Sequence, residues 1–276
     1  MRGTKDGADL QNGNGYNIRV LDRAFRVLAL LSDGKPRSLQ VLSEGIDLSV
    51  STTFRLLATL SSNHYVQRDE RTNQYRLGLT CLELARAYYD GNDLRRIALP
   101  ELEALRNETR ETVHLAVIDQ MEVVYLEKLP GLHAIGLMSS RVGARSPAYC
   151  TGIGKVMLAF EKPQFVRNYY DQFPMKRYTA TTITDPEKLM AELENIRCNG
   201  YGLDRGEHEH EVRCVAAPIF EMRGQVAAAL SVSGPAARMD PLEKNQEMIE
   251  KACLAARNIS NQMGYFVDHP KTEGCS

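Results

Sequence analysis

Apolar residues recur at helical spacing from Ile18 to Leu31, with Leu21, Ala24, Phe25, Leu28 and Leu31 as the expected core stripe. Ser32-Asp33-Gly34-Lys35-Pro36 ends that run. A short helix follows, capped by Ser38, carrying Leu39, Val41 and Leu42 and stopped by Gly45. Ser49 caps the next one. Val50, Thr53, Phe54, Leu57 and Leu60 fall on one face of it, and Ser51, Thr52, Arg55 and Thr59 on the other. Tyr65–Arg68 and Gln74–Leu77 alternate, joined by Asp69-Glu70-Arg71-Thr72-Asn73, which predicts a hairpin with a polar tip. Helix, tight turn, helix, hairpin is the order of a winged helix-turn-helix. The small, hydrogen-bonding, once-cationic face of the Ser49 helix suits a DNA major groove; the plain alternative is an ordinary solvated face.

Further along, Gly78–Tyr89 is amphipathic, with Leu79, Leu82, Leu84 and Ala85 apolar, and Asp90-Gly91-Asn92-Asp93 breaks it. Arg95–Arg110 is read as a helix interrupted or started at Pro100. The period then changes to two, giving strands at Thr112–Ile118 and Glu122–Lys128 and a third at Ala134–Met138. Helices are expected at Cys150–Phe160, Phe165–Phe173 and Pro186–Asn199, a hairpin at Arg213–Phe220 and Gln225–Ser233, and a closing helix at Leu242–Met263. Strand pairs with helices packed on them predict an α+β fold. The expected divisions are an arm at 1–16, a winged helix-turn-helix at 17–77, a linker helix at 78–91, an effector-binding domain at 92–267 and a tail at 268–276.

Composition changes this picture little. A content of 43 % hydrophobic and 25 % charged residues is that of an ordinary soluble protein. No apolar run reaches the roughly 20 residues that span a bilayer. The polar start MRGTKDGADLQNGNGYN lacks the apolar core of a signal peptide, so a cytoplasmic location without membrane contact is expected. The six cysteines are scattered without a CxxC pair and are read as reduced thiols. Charge adds one hint: residues 1–77 carry 11 Lys+Arg against 8 Asp+Glu, and residues 78–276 carry 23 against 27. The resulting +3 and −4 place the DNA-compatible sign on the first part, weakly.

Four constellations carry candidate chemistry. In GARSPAYCTGIGKV (143–156), Tyr149 stands where a phosphate loop needs Gly and Val156 where it needs a hydroxyl, so a nucleotide site is rejected. A helix start at Thr151-Gly152-Ile153-Gly154 survives, able to hold a carboxylate or simply to pack closely. In GLDRGEHEHEVRC (202–214), Asp204, His208, His210 and Cys214 could ligate zinc, but their spacing matches no standard site, and no metal or cofactor is assigned. Cys150 or Cys214 could serve as a nucleophile, yet nothing fixes a histidine beside either, which favours buried or pocket-lining thiols. Ser231 and Ser233 point to one face of an otherwise apolar strand and need partners, either a polar ligand or buried water.

The chain resembles the IclR family of transcriptional regulators from about Asn17 to Phe266. The matching blocks are VLDRAFRVL (20–28), STTFRLLATL (51–60), YRLGLTCLELA (75–85), ETVHLAV (111–117), VVYLEK (123–128), SRVGARSPAYCTGIGKVMLA (140–159), GYGLD (200–204), RCVAAPIF (213–220) and AALSVSGP (228–235). Within the family, SRVGARSPAYCTGIGK, KRYT with TTIT at 176–184, and QMGY at 262–265 are similar to members controlling hexuronate and 2-keto-3-deoxygluconate breakdown. The resemblance implies a homodimer, often a tetramer, that binds double-stranded DNA at a pseudo-palindromic operator. It also implies a GAF-like domain holding a small organic acid; Asp204, an awkward neighbour for an anion, is expected to accept from an effector hydroxyl and not to touch the carboxylate, which favours a keto or hydroxy acid. Ser49, Ser51, Thr52 and Arg55 would then meet the groove, and Arg68, Arg71 and Arg76 of the wing the phosphates. Gly152 and Ile153 would offer N–H groups to the effector carboxylate, with Asp204, Cys214, Ser231 and Ser233 as polar pocket residues and Ile135 and Met138 as its apolar wall. A regulator, most simply a repressor of a carbon-catabolic operon, is the expected function. The alternatives are a small-molecule enzyme with a fused winged helix, which needs a fixed acid/base pair beside a nucleophile, and a protein-interaction module. Two departures stand out: His64 replaces the family's Gly between recognition helix and wing, and Glu211 replaces a Gly three residues before Cys214.

Overall fold

Ser38 and Ser49 start two helices through the same bond. Ser38 Oγ accepts from Val41 N at 3.4 Å and Ser49 Oγ from Thr52 N at 3.3 Å, each satisfying one N–H left open at a helix start. In the computed structural model, which describes residues 18–91, 93–133 and 138–266, these are α2 (Leu39–Gly45) and α3 (Val50–Ser62). They follow α1 (Arg19–Leu31) and a short strand β1 (Arg37–Ser38). β2 (Val66–Arg68) and β3 (Gln74–Leu77) form the wing, and the three strands pair antiparallel in the order β1-β3-β2. α4 (Leu79–Asp90) ends the first of two compact units, Met1–Gly91.

The core of this unit is Val27, Leu31, Leu42, Ile46, Leu57, Val66 and Tyr75. That corrects the expected stripe on α1, where Leu21 and Phe25 stay 50 % and 65 % exposed while Val27 is fully buried. Both faces of α1 are apolar, so periodicity could not say which would meet α3 and β3. The same holds on α3, where Thr53 and Leu57 are buried but Val50 and Phe54 are about half exposed. No residue of α4 is buried, and Leu79, Leu82 and Leu84 all face outward.

Between α3 and the wing, His64 takes the left-handed conformation (φ 61°) that the resemblance assigns to glycine. Gly78 makes the turn possible, since a Cβ there would lie 2.0 Å from the His64 carbonyl oxygen.

The second unit, Asn92–Ser276, is described by itself. After α5 (Asp93–Thr109), an uninterrupted helix despite Pro100, come β4 (Thr112–Asp119), β5 (Glu122–Leu129) and β6 (Arg145–Pro147). Next are α6 (Gly152–Ala159), α7 (Pro163–Gln172), α8 (Pro186–Asn199) and β7 (Gly202–Asp204). β8 (Val212–Phe220), β9 (Val226–Pro235), α9 (Ala236–Met239) and α10 (Gln246–Gln262) complete it. The six strands form one antiparallel sheet in the order β6-β5-β4-β9-β8-β7. The expected strand at 134–138 lies outside the described residues except for Met138, and β6 and β7 were not foreseen. The expected closing helix is split: Asn245 caps α10 through Met248 N, after a 3-10 turn at Leu242–Lys244. Cys198 departs from the reading of six reduced thiols, because it is disulfide-bonded.

Alternation along the strands separates two cores. Val113, Leu115, Val215, Leu230 and Val232 pack with α5 and α10. Ala116, Ala216 and Ala229 turn the opposite way, toward α6, α7 and α8. The residues on that second face are small or polar near α6, which leaves a space between helix and sheet.

Candidate functional site

In the first unit the side chains of Ser51, Thr52 and Arg55 stand exposed on α3, as the pattern required. Ser49 Oγ lies 3.2 Å from Ser51 Oγ and 2.9 Å from Thr52 Oγ1, so three hydroxyls cluster at the start of the helix. Asp69 shapes the wing tip by accepting from Arg71 N and Thr72 N. Two of the wing arginines are held: Arg68 donates to Asn73 Oδ1 at 2.7 Å and lies over the Tyr75 ring, and Arg76 donates to Gln67 Oε1 at 3.3 Å. Arg71 sits at the exposed tip, and among the described residues its guanidinium has no hydrogen-bond or ion-pair partner. Small donors on one helix and cations along a hairpin form a surface suited to bases and phosphates respectively.

In the second unit, seven of the eight residues assigned to the effector line one cavity: Met138, Gly152, Ile153, Asp204, Cys214, Ser231 and Ser233. Ile135 lies outside the described residues. Strand register explains the convergence. Asp204 of β7 is opposite Cys214 of β8, which is opposite Ser233 of β9, and Ser231 is opposite His114 of β4. These positions alternate with the buried aliphatic residues of the first core, so all of them face α6.

Over this floor sits the start of α6. Thr151 Oγ1 caps it by accepting from Gly154 N at 3.2 Å, and the N–H groups of Gly152 and Ile153 have no acceptor among the described residues. Gly154 is obligatory, because a Cβ there would meet the Ala148 carbonyl oxygen at 2.4 Å. The enclosed space is small, about 40 Å³.

Sequence reasoning missed several lining residues, His114, Tyr125, Ser140 and Glu209, and placed Thr151 only in the helix start and His208 only among possible zinc ligands. His114 answers the question of what satisfies the two inward serines. Its Nδ1 lies 3.4 Å from both Ser231 Oγ and Ser233 Oγ, and its Nε2 lies 2.8 Å from Ser140 Oγ. A single polar position within TVHLAVI reads as strand alternation, so only its register against β9 gives it away. Burial pushes the imidazole down to about 3, assisted by the nearby Lys128 ammonium. Burial likewise pushes the Tyr125 hydroxyl up to about 12 and the Cys214 thiol well above its ordinary value. His114 thus ties three hydroxyls, Ser140, Ser231 and Ser233, into one polar floor. His210 and Glu211 pair with each other in solvent, which settles the second departure: the carboxylate does not enter the cavity.

Asp204 is held from behind. Its Oδ1 accepts from Gly206 N at 3.0 Å and Glu207 N at 2.7 Å. The loop it opens is clamped by Thr179, Thr181 and Thr182, whose hydroxyls donate to the carbonyls of Gly206 and Glu207. Lys155, fully buried on α6, donates to Glu207 Oε1 at 2.5 Å and Glu192 Oε1 at 3.0 Å. A lysine inside a glycine-rich segment attracts attention as a phosphate ligand; here it ties α6 to the loop that carries Asp204, His208 and Glu209.

Residues 20–70 match the IclR helix-turn-helix domain, and residues 86–261 match the bacterial transcriptional regulator IclR C-terminal domain. The HTH-type transcriptional regulator KdgR of Dickeya chrysanthemi is 37 % identical, over 90 % of this chain and 80 % of that protein. The crystal structure of the Thermotoga maritima IclR is 32 % identical and covers 90 % of this chain and 100 % of that one, with a TM-score of 0.73. An IclR homolog from Microbacterium hydrocarbonoxydans, complexed with 4-hydroxybenzoate, is 29 % identical and covers 88 % of this chain and 98 % of that one, with a TM-score of 0.78.

Proposed function

Because this chain belongs to the IclR family of bacterial transcriptional regulators, we propose that it represses a carbon-catabolic operon and that a small keto or hydroxy acid controls its hold on DNA. It is a DNA-binding regulator and not an enzyme. One observation carries the effector assignment: two open N–H groups at the start of α6 face Ser231, Ser233 and Asp204 across a single cavity. The N–H pair donates to a carboxylate, the serine hydroxyls donate to an oxygen beside it, and Asp204 lies within the same cavity. The 4-hydroxybenzoate complex of the Microbacterium protein, itself a hydroxylated carboxylate, supports that class.

In this reading the effector favours one packing of the second unit, and α4, the segment of chain leading out of the DNA-binding unit, passes the difference on. A ligand shifts such an equilibrium only by its differential affinity for the two states. We assign a dimer or a dimer of dimers on a pseudo-palindromic site, supported by the outward apolar face of α4, where Leu79 is 72 % and Leu82 67 % exposed.

A thermal-shift screen of sugar acids, short keto acids and aromatic hydroxy acids, followed by anisotropy with labelled operator DNA, tests this. An acid that stabilises the protein and releases operator is expected. If every acid leaves both melting and DNA binding untouched, the effector assignment fails, although the DNA-binding role stands.

A further inference from the structure

The cavity has an unusual charge balance for an anion site. Asp204 and Glu209 line it, and no Lys or Arg does among the described residues. Three cations of neighbouring elements have partners of their own: Lys155 with Glu207 and Glu192, Arg213 with Asp240, and Lys128 with the carbonyls of Met138 and Ser140. Asp204 is 4 % exposed, its Oδ1 is filled by two backbone N–H groups, and its Oδ2 has no donor among the described residues. It also stands beside the N–H pair, since a Cβ on Gly152 would lie 3.4 Å from the Asp204 Cβ. A carboxylate docking on Gly152 and Ile153 therefore shares this small cavity with a second carboxylate.

Resting on the effector reading above, we propose that Asp204 binds the acid in its protonated form, so that docking of the anion draws one proton from solvent. Two carboxylates in contact do not both stay ionised, and a shared proton turns their repulsion into a short O–H···O⁻ bond, with Asp204 Oδ2 as donor. Burial already raises the Asp204 carboxyl, against the pull of the Glu207 N–H bond and of Lys155. The other titratable groups around it are poorer sites for the proton. Cys150 and Cys214, on the turn before α6 and on β8, and Tyr125 on β5 are neutral, and burial makes each harder to ionise. His114 on β4 is fully buried and resists charging. Glu207 is bound to Lys155, and Glu209 accepts from the Ser139 hydroxyl at 2.6 Å. Only His208, half-buried on the same loop, competes, and its imidazole is lowered by burial. The regulator thus reads acidity together with its ligand: at the same acid concentration, occupancy rises as pH falls.

Calorimetry with 2-keto-3-deoxygluconate and with pyruvate, in two buffers of different ionisation heat, measures the proton directly. Uptake approaching one proton is expected, with affinity falling as pH rises, by up to about tenfold per pH unit wherever the free carboxyl is ionised and the bound one is not. Asp204→Asn keeps an acceptor for Gly206 N and Glu207 N and offers an amide N–H to the anion. It should bind with heat independent of buffer and with a flat pH profile. Buffer-independent heat in the wild type overturns the proposal without any variant, and so does a pH slope that survives in Asp204→Asn. A slope lost in His208→Gln but kept in Asp204→Asn moves the proton to the imidazole. If neither probe nor any acid of the screen binds at any pH, the anionic-effector reading falls and takes this inference with it.

Discussion

His114 is neutral because burial makes its charged form expensive, and that has a measurable cost at low pH. Unfolded, the imidazole titrates near its ordinary 6.5; folded, it is held down to about 3. Between those values the unfolded chain binds the extra proton, so acidification favours unfolding by up to about 1.4 kcal/mol per pH unit for this one group. His208, lowered by burial as well, acts in the same direction. Urea midpoints at about pH 5 and about pH 7 should differ less in His114→Gln than in the wild type; equal differences would clear His114 of the effect. At Ser233, substitution by Ala should remove a charge-assisted bond to the effector, lowering affinity by about one to two decades and leaving effector-free DNA binding unchanged. Titrations of both proteins with the best acid of the screen decide it. Lys155→Met should be costlier to the fold, by about 3–5 kcal/mol in denaturant titration, because it strands a buried Glu207 whose Oε2 already lacks a partner. A loss below about 1 kcal/mol would mean that Glu207 simply takes up a proton.

Among the elements, what was legible followed from local chemistry. Ser38 and Ser49 announce their helices because a cap is a one-residue event, and the exposed face of α3 follows from its period. What stayed hidden depended on neighbours. Leu31 is buried as expected, but Val27 takes the place of Leu21 and Phe25 in the core because α3 and β3 choose the face of α1. β6 and β7, three residues each, are too short to show alternation and exist only as partners of β5 and β8. Seven of the residues that the family motif assigns to a pocket do line one cavity, whereas the presence of His114 and His208 in it depends on the sheet register and a loop. Two predictions belong to this scale. Arg55→Ala should weaken operator binding by about 1–3 kcal/mol if the guanidinium reads a base, while Arg71→Ala at the wing tip should lower the salt slope by roughly one and spare specificity. Anisotropy titrations across a salt series separate the two, and an unchanged dissociation constant for Arg55→Ala removes α3 from the groove.

For the whole molecule, assembly is the open quantity. A single DNA-binding unit with a formal +3 over residues 1–77 neutralises few phosphates, and two half-sites about one turn apart roughly double its reach. Sedimentation at micromolar concentration should show at least a dimer. Leu79→Glu with Leu82→Glu should shift it toward monomer and weaken operator binding; monomeric wild type of undiminished DNA affinity would contradict the dimer reading. The floor of the cavity, finally, bears on how such a protein diversifies. Five of the six strands contribute one or two side chains to it, in a row set by backbone pairing, and the residues between them build the opposite core. Exchanging Ser231, Ser233 or Cys214 would therefore alter what lines the cavity while leaving the side chains of the opposite core in place. New ligands can be acquired one substitution at a time, in lineages whose architecture never has to change.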